Sequence, residues 1–439
     1  MKRRLIALIF IGFICQFVRT QNIDTNKLDN YFDALERNDR FMGSVMVSRD
    51  DKLVYSKTIG YSDVENGIKI NDSSKYRIGS ITKTFTAILV LKAIEKGKIQ
   101  LNDVLSKYYP EIKNADKITI EQLLYHRSGI HSFTEDEDFL KWYTVPKSEN
   151  ELIDIISKGK SHFEPGSKFE YSNPNYILLS FILQKIYDKP YGKILEENIS
   201  GPVGLKSTFY GGRINSLNNE CYSYSFSENW EKAMETDLSI PMGAGGIVST
   251  TSDLIKFGEA VLEGKIISRS SLEHMLNFKD RFGMGIFQLP FLEQKNYGHT
   301  GSIDGFSSMF SYFPETKVSF AILSNGANYN INHIATTVLS GVYGKPFDIP
   351  EMKPYEVSEK ELDTYLGTYI ADDLSNRLKV TKNRKTLIFE IIGEQPLPLS
   401  PTSKNVFTFS KAGIVLEFDP DKKTLIFLFN GKRFGYSKE

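Results

Sequence analysis

The chain has few cysteines, no net charge and no long apolar run past its first twenty residues. Among 439 residues only Cys15 and Cys221 carry thiols, which excludes a disulfide-stapled scaffold and any Cys-rich metal site. Beyond residue 20 no apolar stretch approaches the roughly 20 residues of a membrane-spanning helix. Fifty-four Lys and Arg balance 54 Asp and Glu. Residues 1–20 hold four of the bases and no acid, so the remainder is mildly acidic. That balance excludes the basic face a nucleic-acid binder needs. What is present is globular in kind: 41% hydrophobic and 13% aromatic residues leave little room for extensive disorder.

Lys2-Arg3-Arg4 followed by apolar Leu5 to Val18 predicts an export signal over residues 1–20, cut between Thr20 and Gln21. An uncleaved anchor is the alternative reading of the same stretch. Cys15 is a poor lipid-attachment site, because bulky Ile14 precedes it. Cleavage leaves Cys221 as the sole thiol, read as a buried small hydrophobe. The expected location is periplasmic or extracellular, with no stable membrane span once the signal is removed.

Thr25 to Arg37 has helical periodicity through Leu28, Tyr31, Phe32 and Leu35. Residues 41–48 and 53–59 read as a hairpin turning at Asp50-Asp51-Lys52. Long helices are predicted over Ser80 to Lys96 and Tyr176 to Tyr187, and Thr251 caps another through Leu262. Thr119-Ile-Glu-Gln122 is a capping box. Residues 306–313 and 318–324 form a second hairpin around Pro314-Glu315-Thr316. Strands at both ends with helices between them predict an α+β fold: an antiparallel sheet flanked by helices, with an all-helical subdomain. Pro346, Pro350 and Pro354 mark a change of composition. The expected division is a main α+β domain over 21–344, a linker over 345–359, and a small all-β, barrel-like domain over 360–439.

The chemistry concentrates in three short motifs. Ser80-Ile-Thr-Lys83 opens a helix, which places a hydroxyl and an amine one turn apart on one face. A serine is a weak nucleophile until a base stands beside it, and a lysine serves if burial or a second cation lowers its pKa. The helix start also offers free N–H groups to an oxyanion. Tyr171-Ser-Asn173 follows, bringing a phenol that can share a proton with lysine and an amide that can orient it. Gly298-His299-Thr300-Gly301-Ser302 opens a strand, with glycines that admit a ligand close to the backbone.

In this order, Ser80-x-x-Lys83, Tyr171-x-Asn173 and His299-Thr300-Gly301 resemble the three signatures of penicillin-recognising serine hydrolases. The Tyr-x-Asn form is similar to the branch of class C β-lactamases, D-Ala-D-Ala carboxypeptidases, esterases and D-aminopeptidases. Flanking segments agree: Tyr76-Arg-Ile-Gly-Ser80, Leu123-Leu-Tyr-His-Arg-Ser-Gly-Ile130, Phe163-Glu-Pro-Gly166 and Gly245-Gly246-Ile-Val-Ser249. The resemblance covers about residues 25–343. It implies Ser80 as the acylated nucleophile, with Lys83 and Tyr171 moving its proton and the formal base left open. It further implies that Asn173 holds Lys83 and a substrate amide, that His299, Thr300 and Gly301 border the substrate, and that the N–H groups of Ser80 and Ser302 bind the oxyanion. The tail resembles the lipocalin-like domain appended to some such hydrolases. No cofactor is implied, the partner is a small-molecule or peptide substrate, and the oligomeric state is left open. A non-catalytic module that binds penicillin or senses wall fragments is the rival class.

One departure bears on substrates. Efficient β-lactamases carry lysine where this chain has His299, and histidine, with a reference pKa near 6.5, is mostly neutral at pH 7. Losing a charge-assisted contact to a carboxylate costs on the order of 1.5–3 kcal/mol, so β-lactam hydrolysis is expected to be weak. Other features read as structural. His126 is expected to tie its ring to backbone, and His126 with His131 does not make a metal site. His162 has no partner spacing. Gly243-Ala-Gly-Gly246 is a tight loop, and Glu135-Asp-Glu-Asp138 is a solvated face.

Overall fold

The computed structural model describes residues 23–227, 229–291, 293–350, 355–371, 374–409, 412–429 and 432–439. The signal segment 1–20, its cut and Cys15 lie outside the described residues. Helix α1 (Thr25–Arg37) is capped by Asp24, whose carboxylate accepts from Lys27 N at 2.9 Å. Leu28, Tyr31, Phe32 and Leu35 form its buried face, as their spacing predicts. Strands β1 (Phe41–Arg49) and β2 (Lys52–Ile59) make the first hairpin. Helices α2 (Thr82–Glu95), α3 (Asn173–Tyr187) and α4 (Thr251–Leu262) follow. Strands β3 (Tyr297–Ile303), β4 (Phe306–Phe313) and β5 (Val318–Ala327) and helix α5 (Ile331–Val342) complete the sheet.

The five strands form one antiparallel sheet in the order β3-β4-β5-β1-β2. The middle pairing joins the two ends of the domain, with Val45 opposite Ile322 and Val47 opposite Phe320. On one face α1 and α5 bury a single cluster with Phe41, Val45 and Ile322. On the other lies a larger cluster holding α2, α3 and α4. Helix α2 is buried nearly all round, so it runs through the middle of the domain. Its threonines stay hydrogen-bonded there: Thr84 Oγ1 donates to Gly285 O at 2.6 Å and Thr86 Oγ1 to Gly243 O at 2.6 Å.

The tail is a closed barrel of eight antiparallel strands: β6 (Gly367–Ala371), β7 (Leu374–Asn383), β8 (Thr386–Ile391), β9 (Leu397–Ser403), β10 (Val406–Phe409), β11 (Ile414–Asp419), β12 (Thr424–Phe429) and β13 (Lys432–Lys438). Tyr369 opposite Lys438 closes the ring. Leu378, Leu387, Phe389, Phe407, Leu416 and Leu425 pack inside it, so the barrel is filled by its own side chains.

Several features differ from the sequence reading, among them unassigned helices at Glu149–Lys158 and Arg269–Met275. Strand β9 was not assigned; its Pro398 and Pro401 sit in the ladder, opposite Ile388 and Phe407. Helix α5 was not assigned. The cap of α4 is Thr250, one residue before the predicted Thr251, and its hydroxyl accepts from Asp253 N at 3.2 Å. No helix among the described residues is long and apolar enough to cross a membrane.

Candidate active site

Ser80 sits in the turn Gly79–Ile81 that feeds α2. Gly79 has φ +50°, a left-handed conformation that glycine adopts without strain. A Cβ on Gly79 would lie 2.8 Å from Ser302 N. On β3, a Cβ on Gly301 would lie 2.1 Å from Ile78 O and 3.0 Å from Ser80 N. Two bare backbones thus press together, which brings the N–H groups of Ser80 and Ser302 to one place. Paired donors of this kind suit an oxyanion.

Lys83, one turn into α2, is fully buried. Its Nζ lies 2.9 Å from Ser80 Oγ, 2.8 Å from Asn173 Oδ1 and 2.8 Å from Ala244 O. Burial holds its pKa well below the ordinary lysine value.

Tyr171 precedes α3. Burial raises its pKa, partly opposed by a hydrogen bond with Ser80. Lys83 Nζ lies 4.8 Å from the centroid of its ring. His126 stacks on that ring at 4.3 Å between centroids, and its Nδ1 accepts from Ser172 N at 3.1 Å, so the expected tie to backbone exists. Burial first, then the charge of Lys83, lowers the His126 pKa well below its ordinary value. Asn173, the first residue of α3, accepts from Lys83 and donates its Nδ2 to Thr134 Oγ1 at 2.9 Å. Its backbone N–H donates to Ser132 Oγ at 3.3 Å.

His299 is 1% exposed. Its Nδ1 donates to Thr300 O at 2.5 Å, and its ring stacks on Phe287 at 4.2 Å. Burial, with the charge of Lys83, pushes its pKa down to about 3. The expected neutrality of this imidazole therefore has a stronger cause than its reference pKa.

A cavity of about 190 Å³ opens on Ser80, Asn173 and Ser302. Thr134, Phe139, Ile177, Ile240 and Ile303 are among its walls. Lys83, Tyr171 and His299 are not part of this lining, and Thr300 and Gly301 lie on β3 between His299 and Ser302. Sequence reasoning missed several participants. Thr134 and the Ala244 carbonyl hold Asn173 and Lys83 by single contacts that no motif announces. Arg77 was quoted only as a flank. It is buried, and its Nη1 donates to Asp304 Oδ2 at 2.9 Å and Thr236 O at 2.8 Å, locking the far wall.

The remaining histidines need one correction. His162 does have partners: its Nε2 lies 3.0 Å from His131 Nδ1, and its Nδ1 contacts Glu170. The fold, not the spacing, brings them together. Among the described residues no group of three or more His, Cys, Asp and Glu is placed to hold a metal. Asp136 of the acidic cluster meets His131 Nε2 at 2.7 Å. Cys221 is buried, and burial pushes its thiol up to about 12.

Residues 28–347 match the family described as Beta-lactamase. The chain belongs to the Beta-lactamase family. In this family it is similar to penicillin-binding protein 4* of Bacillus subtilis, 26% identical over 89% of this chain and 93% of that one. The solved D-stereospecific amidohydrolase of a Streptomyces species is 28% identical, with TM-score 0.59, over 68% of this chain and 94% of that one. The octameric penicillin-binding protein homologue of Pyrococcus abyssi shares the fold at 24% identity and TM-score 0.66, over 94% of this chain and all of that one.

Proposed function

We propose that this chain is an exported serine hydrolase that forms an acyl-enzyme on Ser80 and cleaves amide or ester bonds of D-amino-acid type. The observation that carries this reading is a dry amine among three oxygens. A neutral amine has two N–H groups and one lone pair. Asn173 Oδ1 and Ala244 O can only accept, so they take the two N–H groups. The lone pair is left for Ser80 Oγ, 2.9 Å away. Lys83 then takes the Ser80 proton as Oγ attacks the carbonyl carbon.

Negative charge forms on the carbonyl oxygen and is met by the N–H groups of Ser80 and Ser302. One such donor contributes about 10²–10³ in rate. As the bond to the leaving group breaks, that group takes the Tyr171 proton, and the Lys83 ammonium restores it. Water then repeats the sequence in reverse and frees Ser80. Tyr171, kept protonated by burial, is the relay, and Lys83 is the base. The hydrogen bonds around Lys83 support this choice within the pair that the motifs alone leave open.

Three lines support the wider reading. The name of the Streptomyces relative supports D-stereospecific amide substrates. The basic-then-apolar start of the sequence and the penicillin-binding name of the Bacillus relative support export. His299 in place of lysine supports weak β-lactam turnover. The test is intact-mass detection of an adduct with a fluorophosphonate and with a penicillin. One adduct on the wild type and none on Ser80→Ala is expected. Labelling that persists in Ser80→Ala, or no labelling of either, refutes the reading.

A further inference from the structure

The cavity beside Ser80 says what its substrate lacks. This argument rests on the acyl-serine reading above. Phe139, Ile177, Ile240, Pro241 and Ile303 form an apolar wall. Asp304 is the one acidic or basic side chain bordering the cavity among the described residues. Its side chain is 0% exposed and already spent. Oδ2 takes Arg77 Nη1 at 2.9 Å, while Oδ1 takes Thr236 N at 2.9 Å and Thr236 Oγ1 at 2.6 Å. Nothing remains on it for a substrate ammonium.

The opposite charge is missing as well. His299 on β3 is outside the lining: its Nδ1 is held by Thr300 O, its Nε2 is buried, and its ring is covered by Phe287. Lys83, also outside the lining, is committed to three oxygens. A substrate charge beside the scissile carbonyl would lose water and meet no free opposite charge in the lining, a costly exchange. The volume fits an apolar group: about 190 Å³, against the roughly 150 Å³ of an apolar cavity that holds benzene.

We propose that the group seated beside the scissile carbonyl is apolar and uncharged. The substrate class is N-acylated apolar amino-acid amides and esters, in preference to substrates with a free α-ammonium or a carboxylate at that place.

The test uses the full chain and three p-nitroanilides sharing one ring and one leaving group: N-acetyl-D-phenylalanine, D-phenylalanine and N-succinyl-D-phenylalanine. The acetyl compound is expected to exceed both charged compounds in kcat/KM by about ten- to a hundredfold. Phe139→Glu, at the partly exposed rim, is expected to improve the free-amine compound relative to the acetyl one by about tenfold. Equal rates, or a preference for either charged compound, overturn the inference. If none is cleaved, protection of Ser80 from fluorophosphonate is ranked across the three. Labelling without stronger protection by the acetyl compound overturns the inference, whereas no labelling of Ser80 overturns the acyl-serine reading beneath it.

Discussion

Replacing His299 by Asn should flatten the acid side of the stability curve. The wild-type imidazole titrates near pH 3 in the fold, because burial and the Lys83 charge oppose its protonation, against about 6.5 in the unfolded chain. As pH falls below about 6.5 the unfolded chain takes up a proton that the folded one refuses. Stability therefore declines as pH falls from there towards 3, where the folded form also titrates. Linkage puts the loss from this one group at about 2–3 kcal/mol between pH 8 and pH 4.5. Asparagine offers an N–H in place of Nδ1–H for the Thr300 carbonyl and cannot titrate. The stability difference between variant and wild type should thus shift by about 2–3 kcal/mol in favour of the variant over that interval. Urea denaturation at fixed pH measures it. The fluorescence of Trp142 and Trp230, both outside the barrel, reports the domain that carries the site. Some acid sensitivity remains in the variant, because His126 is also buried with a lowered pKa. Parallel curves for the two proteins would show that His299 takes up its proton as easily in the fold as out of it, and the electrostatic account of the site would fall.

Lys83→Met should lower kcat by at least about 10³ while leaving stability unchanged or higher, since it removes a costly buried amine; a thermal melt beside an esterase assay reads both. Gly301→Ala should reduce kcat/KM by about a hundredfold or more, because its methyl meets Ile78 O at 2.1 Å and must push β3 away from Ser80; wild-type kinetics would refute the close approach. Arg77→Met should destabilise by about 3–5 kcal/mol in urea denaturation by leaving Asp304 buried without its cation, and the double variant with Asp304→Asn should recover part of the loss.

The groups that converge on Ser80 were legible in the sequence because their chemistry is tied to local spacing. Ser80 and Lys83 are one helical turn apart, Tyr171 and Asn173 flank the start of α3, and Gly301 marks a backbone contact that tolerates no side chain. The groups that position them were not legible, for a shared reason. Thr134 and Ala244 act through one hydroxyl and one carbonyl, which any residue type could supply at many places. Arg77 and Asp304 are 227 residues apart and meet only because β3 returns to the Ser80 turn. His131 and His162 likewise meet through folding. Two misses lie elsewhere. Helix α5 carried a readable signal in Ile331, Ile334, Ala335, Val338 and Val342 behind the Asn330 cap, whose side chain accepts from Asn332 N and His333 N. Strand β9 carried a misleading one, since its prolines fit the ladder only when the neighbouring strands are known.

The pairing of β1 with β5 has a consequence for how the molecule comes into being. Residues 41–49 pair on one edge with the neighbouring 52–59, but the partner of their other edge comes only at 318–327. A ribosome must therefore release most of the first domain before its central ladder can close. Until then the strand around Val45 and Val47 keeps one edge unpaired and its apolar side chains uncovered, open to holdases and to sticking. Such late closure makes spontaneous folding slow, because the central ladder joins residues far apart along the chain.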